Sequence, residues 1–156
     1  MRPIHVPKAI DVCIKANRSL LLWGSPGVGK SQLVAQYAKA NDFDLIDLRL
    51  SQLEPVDLRG CPRLDLEELL TRWCPPDFFP RNGRGILFMD EITSASQGTQ
   101  AAAYQLVLDR KLGNYEVPPE WRIIAASNRM TDRAIVNQMA TPLRTCFTSI
   151  DVDTHA

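Results

Sequence analysis

The run Gly24-Ser25-Pro26-Gly27-Val28-Gly29-Lys30-Ser31 constrains this chain more than any other feature. It matches G-x-x-x-x-G-K-[ST] in full, and each position in that pattern has a physical task. Glycines accept backbone angles closed to other residues, so successive N–H groups can turn inward toward phosphate oxygens. Lys30 sets a cation on the outer phosphates, and Ser31 offers a hydroxyl to Mg2+. A helix opening at such a loop aims the positive end of its dipole at the same anion. The pattern needs a strand before it and a helix after it, and both are legible. Ser19 to Trp23 is a short apolar run ending at Gly24, and Lys30 to Ala40 places Leu33, Val34, Tyr37 and Ala38 on one face. Together with Gln32, the eight residues of the run are the expected nucleotide-binding segment.

Further along, apolar runs alternate with longer periodic stretches, which is the rhythm of an α/β fold. Phe43 to Leu50, Ile86 to Met89, Trp121 to Ala126 and Phe147 to Val152 read as strands. Ser96 to Arg110 reads as a helix, with Ala102 and Leu106, and Ala103 and Val107, as i, i+4 pairs. Gly113-Asn114 between Leu112 and Tyr115 makes a hairpin turn. Prolines 62, 75, 76 and 80 break the stretch from Cys61 to Arg84, and only Leu64 to Trp73 has a helical pattern. With 156 residues and no repeat or low-complexity linker, one compact domain is expected over residues 1–156.

Composition mainly excludes. Eighteen Lys+Arg balance eighteen Asp+Glu, with no block of like charge and no basic stripe interleaved with aromatics, so a nucleic-acid partner is not expected. The longest apolar runs, such as Leu20 to Trp23, fall far short of the roughly 18 residues a membrane span needs, and no secretory leader is visible. Cys13, Cys61, Cys74 and Cys146 are scattered without a C-x-x-C pair. They read as reduced thiols of a cytoplasmic protein rather than as a zinc site or disulfide framework.

Two carboxylates end an apolar strand at Ile86-Leu87-Phe88-Met89-Asp90-Glu91. In a parallel sheet this strand is expected beside the phosphate loop, with Asp90 reaching Mg2+ through water. Glu91 then stands where it can orient and deprotonate a water attacking the γ-phosphate. Trp121 to Ser127 is a further strand, and it ends at Asn128. An amide there can bond both the lytic water and a γ-phosphate oxygen, although alone Asn128 reads as a turn residue. Arg144, after Pro142-Leu143, reads alone as a surface arginine.

The ordered set of Gly24–Ser31, Met89-Asp90-Glu91 and Ser127-Asn128 resembles the AAA+ ATPases, and most of all their MoxR-type branch. Val56-Asp57-Leu58-Arg59-Gly60 is similar to a "DLRG" stretch found before the acidic strand in that branch. Gln100 to Arg110, then Leu112 to Tyr115 and Val117-Pro118, resembles its helix and hairpin. The resemblance implies a three-layer α/β/α core around a central parallel sheet, binding ATP and Mg2+. It implies Lys30 and Ser31 as phosphate and metal residues, Asp90 as the acidic metal partner, Glu91 as catalytic base and Asn128 as first sensor. It further implies rings, usually hexamers, in which one subunit's arginine completes the neighbour's site. The branch remodels protein partners, commonly ones bearing von Willebrand factor A domains.

Two departures from the family pattern stand out. Where the family has Leu-Arg-x-Arg-Phe, this chain reads Leu143-Arg144-Thr145-Cys146-Phe147, so Arg144 is the remaining candidate for the trans arginine. The chain ends at Ala156, so the helical lid and its second sensor arginine are not expected within it. Adenine contacts then fall to the segment around His5-Val6-Pro7. The alternative function is an ATP-binding interaction module with little hydrolysis. A phosphotransferase is a further reading, and it leaves Glu91 and Asn128 unexplained.

Overall fold

The computed structural model describes residues 1–129 and 145–153. Arg144 and the Pro142-Leu143 segment lie outside the described residues.

Five strands form one parallel sheet: β1 (Leu20–Trp23), β2 (Asp44–Arg49), β5 (Gly85–Asp90), β8 (Trp121–Ser127) and β9 (Thr148–Asp151). Their order is β2-β5-β8-β1-β9. Strand periodicity sorts the core. On β1, Leu20 and Leu22 face one layer while Leu21 faces the other; Ile86 and Phe88 oppose Leu87 and Met89 on β5, and Ile124 and Ala126 oppose Ile123 and Ala125 on β8. Both faces are covered, which is why the central strands read as unbroken apolar runs.

One face carries α1 (Val6–Lys15) and α2 (Lys30–Ala40), which bury Val6, Ile10, Cys13, Val34, Tyr37 and Ala38 against the sheet. The other carries α3 (Pro55–Arg59) and α4 (Gln97–Asp109). Ser96 caps α4 by accepting from Thr99 N at 3.2 Å, and Arg110 ends it in the left-handed region at φ 54°. Ala102, Ala103, Leu106 and Val107 are its buried face, as their spacing predicts. The architecture is the three-layer α/β/α core expected.

One expectation is corrected. Leu64 to Trp73 is not a helix but the greater part of an antiparallel hairpin, β3 (Cys61–Asp65) with β4 (Leu70–Cys74). Leu64, Leu66, Leu69 and Leu70 are exposed, so no core face supports a ten-residue helix, and such a helix is marginal alone. The Asp65 carboxylate instead accepts the Glu67 and Glu68 amides at 3.1 and 3.2 Å, closing the turn. The acidic strand β5 does lie beside the phosphate loop, with β8 standing between it and β1 in the sheet. Helix α1, which buries Val6, Ile10 and Cys13, is not among the elements read from the sequence. The small hairpin β6 (Lys111–Leu112) with β7 (Tyr115–Glu116) turns at Gly113-Asn114 as expected.

Segment 53–60 is tied to the body of the fold. Thr99 Oγ1 donates to Leu53 O at 2.8 Å, Leu58 is fully buried, and a capping box pairs Glu54 with Asp57.

Candidate nucleotide-binding site

In a parallel sheet every strand delivers its last residue to the same edge, and here that edge collects the charged and amide side chains. β1 runs into Gly24, β5 into Asp90 and Glu91, β8 into Asn128, and β2 ends on Arg49. Gly24 N donates to Ser127 O at 3.2 Å, which seats the phosphate loop directly on the asparagine strand. A Cβ on Gly24 would lie 2.8 Å from Val152 O, so the loop can approach β9 only through a glycine. Gly29, at φ 85°, turns the chain into α2 from a left-handed conformation that favours glycine.

Lys30 is buried, and its ammonium stays inside the loop. Nζ donates to Gly24 O at 2.8 Å, Ser25 O at 3.1 Å and Asn128 Oδ1 at 3.1 Å. A buried cation needs such partners, and these hold it at the mouth of the cradle. Ser31 Oγ donates to Asp90 Oδ2 at 2.7 Å, and the Glu91 amide donates to Asp90 Oδ1 at 2.8 Å. Both Asp90 oxygens are thus oriented by neighbours that belong to the site.

Glu91 sits at φ 56°, an uncommon conformation for a non-glycine residue. This turns the chain sharply at the end of β5, and the Ser51 hydroxyl donates to Glu91 Oε2 and so sets the direction of the carboxylate. Beneath it, Thr93 and Ser127 share a buried hydrogen bond that ties the turn after β5 to the end of β8. Arg129 donates to Asp151 at 3.2 Å and to Asp153 at 3.3 Å, bracing the exit of Asn128 against the end of β9.

These groups surround a cavity of about 430 Å3 whose wall includes Gly29, Lys30, Ser31, Asp90, Glu91 and Asn128. Pro26, Gly27 and Gln32 also line it, as expected; so does Arg49, which sequence reasoning passed over. Its only signal was its place as the last residue of a strand whose neighbour in the sheet ends on Asp90. Ser51 was missed for the same reason, since nothing local marks it. Two residues before Arg49, the Asp47 carboxyl is held above the ordinary carboxylate range by desolvation and by the charge of Asp90, with Arg49 opposing. His5, Val6 and Pro7 are not in the cavity wall, and Val6 is fully buried.

A phosphate chain and a hard divalent cation both fit these residues. The loop combines glycine backbone freedom with a buried ammonium, and Ser31 with Asp90 supplies oxygen donors only. Among the described residues no group of three His, Cys, Asp or Glu side chains forms a metal cage.

Residues 20–149 match the family model of the AAA proteins, the ATPase family associated with various cellular activities. The chain belongs to the AAA family. One curated relative, the replication factor C large subunit of Pyrobaculum calidifontis, is 44% identical over 46 residues, 30% of this chain and 11% of that protein. Among solved structures, the P216G mutant of RuvB from Thermotoga maritima superposes with a TM-score of 0.67 at 19% identity, covering 97% of this chain and 46% of that one. NtrX from Brucella abortus, in complex with ATP, gives 0.64 at 14% identity, covering 97% and 35%. The AAA chain thus spans less than half the length of each of these proteins. At such identities the two structures speak for the fold, and the family match adds the nucleotide. Among the described residues no helix is long and apolar enough to cross a membrane.

Proposed function

We propose that the chain is the nucleotide-binding α/β core of a MoxR-type AAA+ ATPase, which binds ATP with Mg2+ and hydrolyses it. The observation that carries this reading is the convergence of Lys30, Asn128, Ser31, Asp90 and Glu91 on one strand edge. Lys30 and the loop amides bind the phosphates. The Ser31 hydroxyl and, through water, Asp90 hold Mg2+, which when bound neutralises charge on the outer phosphates. Glu91 accepts a proton from water as its oxygen forms a bond to the γ-phosphorus and the bond to the β–γ bridging oxygen breaks, releasing ADP. The Asn128 amide orients that water, and Lys30 stays against the charge that develops in transit.

On this reading the work of hydrolysis is remodelling or assembly of a protein client, one with a von Willebrand factor A domain being the kind the branch serves. Subunits form a ring, a hexamer in the usual case, and Arg144 acts in trans on the neighbour's γ-phosphate. Such a finger contributes about 10³–10⁵ in rate in other phosphoryl-transfer enzymes.

One observation favours the second reading, an ATP-binding interaction module with little turnover. Cys146, where the family pattern has its second arginine, is half-buried and packs against the apolar core beside Phe147. A thiol there supplies no charge to a neighbour. The two readings part on one variant. Glu91→Gln is expected to keep ATP binding and to lower turnover by about 10²–10⁴-fold, the range for losing a general base. Turnover unchanged by the variant would remove Glu91 from the mechanism, and wild-type turnover no higher than that of Lys30→Ala would favour the binding module.

A further inference from the structure

The β3–β4 hairpin stands apart from the nucleotide site, and nothing in the proposed function uses its two cysteines. Cys61 opens β3 and Cys74 closes β4, and the antiparallel register sets them directly opposite one another. Directly opposed residues project to the same face, with Cα atoms about 4.5–5.5 Å apart. A disulfide spans Cα separations of about 4.4–6.8 Å, so an opposed pair lies within its reach. Both thiols are free and exposed, whereas Cys13 is buried and Cys146 half-buried.

The root of the hairpin is already drawn tight where this pair sits. Gly60, at φ 84°, comes so close that a Cβ on it would lie 1.9 Å from Cys74 O. Asn114 Nδ2, in the β6–β7 turn, donates to Trp73 O at 3.1 Å and holds the same strand from the other side. These contacts hold the two strand ends in the register that opposes the cysteines. Cys74 also opens on a cleft of about 640 Å3 that carries Arg63, Arg72 and Arg81 against Asp65 and Glu67. Arg72 is paired with Asp65 at 2.9 Å and also with Glu68, so three arginines stand against three carboxylates beside the Cys74 thiol.

We propose that Cys61 and Cys74 form a dithiol modification site, oxidised to a cross-strand disulfide by a low-molecular-weight disulfide of the glutathione class. One cysteine thiolate attacks the reagent's disulfide, forming a mixed disulfide and releasing one reagent thiolate. The second cysteine thiolate then attacks the protein sulfur of that mixed disulfide, forming the Cys61–Cys74 bond and releasing the other reagent thiolate. Two electrons pass from the protein to the reagent, and the two cysteine protons go to the two thiolates released. The product staples the hairpin at its root and leaves the phosphate loop, Asp90, Glu91 and Asn128 untouched.

The test equilibrates the full chain with oxidised and reduced glutathione, quenches with an alkylating reagent, and maps peptides without reduction. Titratable thiols are expected to fall from the four of the sequence to two, with residues 61 and 74 joined in one cross-link and two hydrogens lost. Trypsin cuts after Arg63 or Arg72 should then leave the two halves of the hairpin linked. Cys61→Ser and Cys74→Ser, each on its own, should instead retain one glutathione at the remaining cysteine and keep wild-type ATP turnover. Alkylation of both residues at every glutathione ratio would overturn the proposal, as would two separate glutathione adducts on the wild-type hairpin. Unfolding of both variants would not rescue it, since the wild-type cross-link map decides alone.

Discussion

At the scale of single residues, the candidate site is a set of side chains whose roles depend on what they face. Asn128 is the sharpest example. In the sequence it is a polar residue after a strand, and in the fold its Oδ1 is 3.1 Å from the Lys30 ammonium. Under the proposed mechanism, Asn128→Ala lowers kcat by about 10²–10³-fold, the cost of losing one placed polar group in a transition state. ATP affinity should change far less, and single-turnover kinetics beside equilibrium binding of the nucleotide checks the split. Asp47 gives a pH prediction. Its pKa in the fold is raised above the ordinary 3.8, so folding disfavours its charged form. The fold is spared that penalty below the unfolded value and carries it in full above the raised folded value. Asp47→Asn should therefore stabilise the protein at neutral pH, and the gain should vanish as the pH falls below 3.8. Urea unfolding of both proteins across that range measures it, and a gain that persists in acid would mean the effect is not electrostatic.

At the scale of elements, patterning and packing agree in the central layers and part company at the edges. The strands β1, β5 and β8 and the helices α2 and α4 have a face or both faces committed to the core, so burial and periodicity carry the same message. Leu106, fully buried on α4, and Leu108, about half exposed on the same helix, make a direct comparison. Leu106→Ala should cost about 2–5 kcal/mol through the cavity it leaves, whereas Leu108→Ala should stay within about 0.5 kcal/mol. Chemical denaturation of the pair separates them, and equal losses would mean that α4 is not seated as described. The β3–β4 hairpin is the contrary case. Its leucines suggested a helix by spacing, yet none has a core to meet, and the Asp65 turn with cross-strand pairing wins instead.

At the scale of the whole molecule, the parallel sheet turns separate stretches of chain into one site, and ligand binding there should stabilise the fold as a unit. ATP with Mg2+ at about 100 times its Kd should add about 2.7 kcal/mol. For a domain of this size that raises Tm by about 5–10 °C. Lys30→Ala should remove the shift, and chelating the metal should reduce it; differential scanning fluorimetry reads both. The ring proposal adds a second expectation. Turnover per chain should rise with protein concentration, and Arg144→Ala should flatten that rise while sparing ATP binding. A rate per chain independent of concentration would mean that each subunit's site is complete without a neighbour.

The phosphate loop, the acidic pair and the α/β class were legible because each is a local property: a fixed spacing of glycines and a lysine, an apolar run ending in carboxylates, an alternation of short and long periods. What the chain alone could not disclose was adjacency. That β8 stands between β5 and β1 depends on pairing across long separations, which no local pattern encodes. Arg49 and Ser51 became site residues only because β2 lies beside β5 and ends at the same edge. Cys61 and Cys74 are thirteen positions apart and unremarkable in sequence, and they oppose one another only because the hairpin register pairs them. Local chemistry is written along the backbone, whereas which chemistries meet is decided by hydrogen-bonded neighbours and by the burial that selects them.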